Sequence, residues 1–247
     1  MKPVSWVVED QTEKEVWWPS DDLKRRAWVN DPSIYEEAAK DPVAFWESRA
    51  REGIEWFKPW EKAYHEELPY FKWFIGGKTN ASYNALDRHV KAGKGDKPAI
   101  IWVPEPPEEQ TRIITYKQMN EEVNRFANAL KSLGVKKGDR VGIYLPLIPE
   151  VQVAILACAR IGAIHSVVFS AFSGDSLRVR LEDSEAKVLV TSDGYYRRGN
   201  VVNLKANADE GVKGTKVEKV VVVKRAGNEI NMVAVSYTHL RAHETRQ

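Results

Sequence analysis

Along the chain the apolar positions change rhythm near residue 99. In YKQMNEEVNRFANALKSLG, Met119, Val123, Phe126, Ala127 and Leu130 recur at three- and four-residue intervals, which predicts an amphipathic helix with one apolar face. Thr115 and Gln118 have the spacing of a capping box at its start, and Gly134 supplies a stop. Beyond it, short apolar runs alternate with helical periods. RVGIYL (140–145), HSVVF (165–169), KVLVTS (187–192) and EKVVVVKR (218–225) read as strands. PEVQVAILACARIG (149–162), SGDSLRVRLEDSE (173–185) and NVVNLKANADEG (200–211) read as helices. AIIWV (99–103) and RIITY (112–116) are two further short strands. The βαβαβαβ series with short connections predicts an α/β fold: a partial doubly wound parallel sheet with right-handed crossovers and helices on both faces. In such sheets ligands bind beyond the carboxyl ends of the strands.

Residues 1–95 carry no such alternation. They read as a mostly helical and irregular, Trp-rich region, with helix starts at Asp31-Pro32-Ser33 and Asp41-Pro42, where aspartate can cap and proline suits the first turn. KAGKGDKPA (91–99) reads as a surface linker into a second domain, 96–233.

Composition narrows the function classes. Of 247 residues, 43% are apolar and 29% charged, with a net charge of +2, too near neutral for a nucleic-acid or anionic-membrane binder. None of the nine tryptophans follows Trp102, and those of the first region read as packing residues that attach irregular chain to the sheet. The one cysteine, Cys158, sits in an apolar helical stretch and reads as an inert core thiol. No secretory signal and no apolar run of membrane-spanning length is visible, so a cytoplasmic location is expected. Phosphate-loop, dinucleotide, serine-hydrolase, zinc-peptidase and EF-hand motifs are all absent. Gly76-Gly77-Lys78-Thr79 is an incomplete phosphate loop. His65, His89, His165, His239 and His243 are scattered, so no metal ligands and no catalytic residues are assigned.

One stretch stands out. DGYYRRGN (193–200) follows the strand KVLVTS and sets two arginines and a glycine at its carboxyl end. On the residues alone it is either a solvated basic loop or a grip for phosphate, whose oxygens suit guanidinium forks.

HSVVFSAFSGDSLRVRLEDSEAKVLVTSDGYYRRGNVVNLK, together with GDRVGIYLPLIPEVQVAILACARIGAIHSVVF, resembles the AMP-forming acetyl-CoA synthetases of the ANL adenylating-enzyme superfamily. WFIGGKTNASYNALDRHV and VVVKRAGNEINMV fit the same family, so the resemblance spans roughly residues 30–233. It implies a two-step ligase: ATP and acetate give acetyl-adenylate and pyrophosphate, then CoA displaces AMP, with Mg2+ as cofactor. It implies a CoA-binding role for Arg197, Arg198, Gly199 and Asn200, which would contact the 3′-phosphate of CoA. In that reading Gly199 lets the backbone approach and Asn200 caps the next helix, although many relatives have a basic residue where Asn200 stands. Ser170 and Ser173 resemble a turn near the CoA channel. Arg88 and His89 are either part of an active-site wall or a polar anchor for the N-terminal region, with Asp87 and Arg88 a candidate ion pair.

The ATP-phosphate loop, the acyl pocket and the adenylation lysine of that family have no counterpart in these residues, so the chain alone is expected to be inactive. Residues 234–247, AVSYTHLRAHETRQ, match nothing in the family and look like translated sequencing adaptor; they are expected to be an assembly artefact, or else a disordered tail. Three functions remain open: the N-terminal part of an acetate–CoA or propionate–CoA ligase with small-molecule substrates, a stand-alone CoA- or nucleotide-binding module, and a generic flavodoxin-like regulatory domain.

Overall fold

The computed structural model describes residues 7–9, 15–17, 19–232 and 236–239. Trp6, Trp18, His243 and the tail beyond 239 lie outside the described residues. Two compact units divide between Lys78 and Thr79.

The first unit holds β1 (Val7–Glu9) and β2 (Glu15–Trp17), then helices α1 (Asp21–Arg26), α2 (Ser33–Lys40) and α3 (Pro42–Gly53). It closes with an antiparallel hairpin, β3 (Lys62–Glu67) and β4 (Tyr70–Ile75). Asp41 caps α3 as expected, its carboxylate accepting from the Ala44 N–H at 2.9 Å. At α2 the cap position is Pro32, while the Asp31 carboxylate takes the Ser33 N–H at 3.0 Å, which lowers its pKa. The tryptophans here pack among themselves: Trp56, Trp60 and Phe74 interlock with ring centroids 4.9–5.4 Å apart, whereas Trp28 and Trp46 are exposed.

The second unit opens with an irregular helical stretch containing π-turns at Tyr83–Asp87 and Val90–Lys94. Then come β5 (Pro98–Trp102) and β6 (Arg112–Thr115), paired antiparallel, and α4 (Tyr116–Ser132) with its capping box formed. The series continues through β7 (Arg140–Tyr144), α5 (Pro149–Ile161), β8 (Ile164–Val167), α6 (Gly174–Asp183) and β9 (Val188–Ser192). It ends with a small hairpin, β10 (Tyr195–Arg197) and β11 (Asn200–Val202), then α7 (Leu204–Val212), β12 (Lys219–Val223) and β13 (Ser236–His239).

Five parallel strands form the sheet in the order β13-β12-β9-β7-β8. From β7 the chain steps one way to β8, then back across β7 to β9 and onward to β12. Right-handed crossovers put a helix on opposite faces for opposite directions of step. Accordingly α5, with α4, packs on one face over Val141, Ile143, Val188, Val190 and Val221. Helices α6 and α7 cover the other face over Leu189, Val220 and Val222. The doubly wound expectation holds, and the direction of winding reverses between β7 and β9.

Three expectations change. The segment taken as a linker at 91–99 is a π-turn followed by the start of β5, and residues 79–95 belong with the sheet unit. Leu86 is buried in the α4–α5 core, and Asn80 donates to the carbonyls of Ala159 and Arg160. The ion pair of Asp87 is with Arg160, at 2.5 Å. Finally, Ser236–His239 of the tail forms β13, which pairs with β12 through its backbone. An open strand edge offers N–H and C=O groups to any chain that reaches it, whatever its side chains, which is why no apolar rhythm announced this strand.

Candidate functional site

The loops after β7 and β9 face the reversal point of the sheet, where doubly wound folds open a crevice for ligands. The loop after β9 is DGYYRRGN. Its Tyr195–Arg197 and Asn200–Val202 pair antiparallel, with Arg197 opposite Asn200. Arg198 and Gly199 form the two-residue tip, at φ 51 and φ 77. Both central residues at positive φ define the turn whose twist matches a tight hairpin. This accounts for Gly199: a Cβ there would meet nothing within 4 Å, so its conformation and not crowding asks for glycine. Arg198 holds the left-handed conformation at a cost of about 1–2 kcal/mol.

All four expected CoA-binding residues are together and exposed at the tip. One expected role is reassigned. Asn200 lies in β11 and donates to the Arg198 carbonyl at 3.2 Å, while Asn203 caps α7 by accepting from the Ala206 N–H at 3.0 Å. The helix begins four residues later than the apolar pattern suggested because those residues complete the hairpin. Ser173 caps α6, and the carbonyls of Ser170 and Phe172 accept from the buried Tyr144 hydroxyl, so that turn acts through its backbone. Burial raises the Tyr144 pKa and keeps the phenol a donor.

Around the hairpin stand residues the sequence reading left unassigned. Asp193 is buried at the end of β9 and accepts main-chain N–H groups from Gly194 and from Arg225 to Gly227. The Arg225 guanidinium is sandwiched between Trp102 (5.0 Å) and Tyr196 (4.8 Å) and forms a two-toothed ion pair with Glu109 at 2.8 and 3.0 Å. Trp102 in turn donates to the Leu147 carbonyl at 2.9 Å. Glu105 accepts the Arg198 main-chain N–H at 2.7 Å. Trp102, Glu109, Arg112, Ile148, Glu150 and Arg225 line a cleft of about 180 Å³ at the end of β12. The one legible signal was a carboxylate directly before glycine at a strand's end; the partners of Arg225 are 29–123 residues away in sequence and gave none.

Arg197 and Arg198 thus present two cations on a tight turn at the carboxyl edge of the sheet. The arrangement can hold a phosphomonoester, and it contains no nucleophile or acid–base pair. Among the described residues no group of three His, Cys, Asp or Glu is placed to hold a metal ion. No helix there is long and apolar enough to cross a membrane.

The fold and its strand-end loops define a doubly wound α/β protein with a topological switch between β7 and β9. Residues 86–241 match the family model described as AMP-binding enzyme, and residues 32–85 match that of the acetyl-coenzyme A synthetase N-terminus. The chain belongs to the AMP-binding enzyme family. It is 53% identical over 228 residues to the acetyl-coenzyme A synthetase of Rubrobacter xylanophilus, across 92% of this chain and 35% of that protein. It is 48% identical to that of Methanothrix thermoacetophila over 92% of this chain and 34% of that protein. It is also 50% identical to a 3-hydroxypropionyl-coenzyme A synthetase of Sulfurisphaera tokodaii, over 80% of this chain and 30% of that protein. The chain therefore spans about a third of the length of the curated relatives it matches.

Proposed function

We propose that this chain is part of an acetate–CoA ligase that works through an acetyl-adenylate, and that its own contribution is the grip on the 3′-phosphate of CoA. The observation that carries this reading is the Arg197–Arg198 pair on a tight hairpin at the carboxyl edge of the sheet. A 3′-phosphomonoester carries close to two negative charges, and exposed guanidinium groups bind such oxygens without needing a buried pocket. ATP and acetate are the other substrates in this reading. Magnesium belongs to the same proposal, but the described residues supply no ligand set for it, so no step here runs through it. The match to a 3-hydroxypropionyl-coenzyme A synthetase at similar identity supports placing the choice of acid outside this region, and propionate stays an alternative substrate.

Calorimetry with CoA and with dephospho-CoA tests the grip. The chain is expected to prefer CoA by about tenfold, the worth of one good charge-assisted contact, and Arg197→Ala with Arg198→Ala is expected to abolish the preference. Equal affinities in the unchanged chain would sink the reading. A stand-alone binding module is the second reading, favoured by the absence of catalytic groups at the hairpin. Acetate-dependent exchange of pyrophosphate into ATP separates the two. None is expected from the 247-residue chain itself; exchange in a longer polypeptide that continues the relatives' match supports the ligase.

A further inference from the structure

We propose that Asp193 is a positioning residue for anion binding: its buried carboxylate locks the root of the Arg197–Arg198 hairpin to the loop after β12 and so sets where the two guanidinium groups stand. The inference rests on the CoA reading for what the hairpin binds, and adds what holds the hairpin in place.

Asp193 is 3% exposed, yet its carboxylate is fully engaged. Oδ1 accepts from the N–H groups of Gly194 at 2.7 Å, Arg225 at 2.7 Å and Ala226 at 3.0 Å, and Oδ2 accepts from Gly227 at 2.7 Å. Its main chain is held too. The N–H donates to the Val223 carbonyl at 3.0 Å, and its carbonyl accepts from the Lys205 N–H and the Asn228 Nδ2, both at 3.3 Å. Three consecutive amides turned toward one point form a concavity for an anion, and here the resident anion is a side chain. Buried charge is tolerated because these donors replace water; an acceptor that fits them poorly leaves several amides unsatisfied.

The hairpin starts one residue after this knot. Gly194 has no room for a side chain, since a Cβ would lie 2.7 Å from the Val202 carbonyl oxygen at the far end of β11. Both ends of the hairpin therefore meet at Gly194, the residue directly after Asp193. The loop it holds also reaches the hairpin directly, because Arg225 stacks on Tyr196, the neighbour of Arg197. A carboxylate needed only to finish β9 would be satisfied by its own turn. This one ties a second loop to the hairpin's root.

The test compares CoA with dephospho-CoA on the full chain, because a residue that merely stabilises the fold changes both affinities together. With Asp193→Asn the roughly tenfold preference for CoA is expected to fall to within about twofold of unity, while dephospho-CoA affinity is kept. Asn228→Ala, which removes a side-chain grip on the same knot and leaves the carboxylate in place, is expected to reduce the preference by about threefold. It serves as the measurement if Asp193→Asn does not melt cooperatively. A preference that survives in both variants but disappears in the double arginine variant overturns the role of Asp193 and leaves the CoA reading standing. A preference missing from the unchanged chain, or kept by the double arginine variant, overturns both.

Discussion

Arg160 projects from α5 onto a set of acceptors contributed by two stretches of chain, the helical stretch around residues 82–87 and α4. Its guanidinium donates to Ser82 at 3.1 Å, Asp87 at 2.5 Å and Asn120 at 2.9 Å, and also to Asn124. With 18% and 23% of the two side chains exposed, the Arg160–Asp87 pair is mostly but not fully desolvated. Breaking a fully buried pair costs about 3–5 kcal/mol, so Arg160→Ala is expected to cost about 2–3 kcal/mol, seen as a lower urea midpoint. Arg160→Lys should recover less than half, since an ammonium cannot serve a fork of acceptors. Two residues earlier on the same helix, burial pushes the Cys158 thiol up to about 12 from 9.0. Below pH 9 the thiol is protonated both folded and unfolded. Between pH 9 and about 12 the unfolded chain gives up the proton first, so this group's contribution to stability falls as pH rises. Denaturation curves across that window should be steeper in pH for the native chain than for Cys158→Ala; identical slopes would refute the shift.

At the scale of an element, the hairpin β10–β11 has opposite charges side by side at its tip. Glu105, in the Pro- and Glu-rich connection VPEPPEEQ, places a carboxylate on the Arg198 N–H, beside the spot an incoming phosphate would take. Glu105→Gln is expected to tighten CoA binding by about two- to threefold at low ionic strength, with the gain fading by about 0.5 M salt; weaker binding at low salt would mean that the carboxylate supports the turn instead. The sheet strands and helices around this element were legible because each spans enough residues to show its period. Strands β5 to β9 and β12, and helices α4 to α6, lie close to where the apolar rhythm put them. The hairpin was not legible. Its strands have three residues each, too few for an alternation to register, and its turn carries arginine at the first positive-φ position where asparagine or aspartate would have signalled it. Hence Val201 and Val202 were drawn into the following helix. The stretch DGYYRRGN stood out in the sequence because its residues are contiguous. Asp193, Glu105 and Arg225 act through contacts that close only when distant loops meet.

At the scale of the whole chain, the two units differ in what holds them. Both hydrophobic cores lie in residues 79–232, whereas Ala50 is the one buried apolar residue among the described side chains of 19–78. Hydrogen exchange should therefore find the slowest amides in β7, β9 and β12, with the first unit exchanging faster. The sheet's outer strand β8 leaves Ile164 and Val167 exposed, with Phe169 just beyond it. Such an edge invites pairing between copies. Light scattering is expected to show association that grows with concentration and is reduced by Val167→Lys; a monodisperse chain at high concentration would count against it.

The contrast between the hairpin's root and its tip bears on how such a protein changes over generations. At the root, a side chain on Gly194 or a poor substitute for Asp193 disturbs two loops at once. At the tip, Gly199 is held by its positive φ, but the two flanking residues face solvent. Mutation can therefore rewrite the charge and reach of the tip while the scaffold beneath it stays intact. A lineage could change the charge this hairpin presents through substitutions at Arg197, Arg198 and Asn200 alone, without passing through an unfolded ancestor.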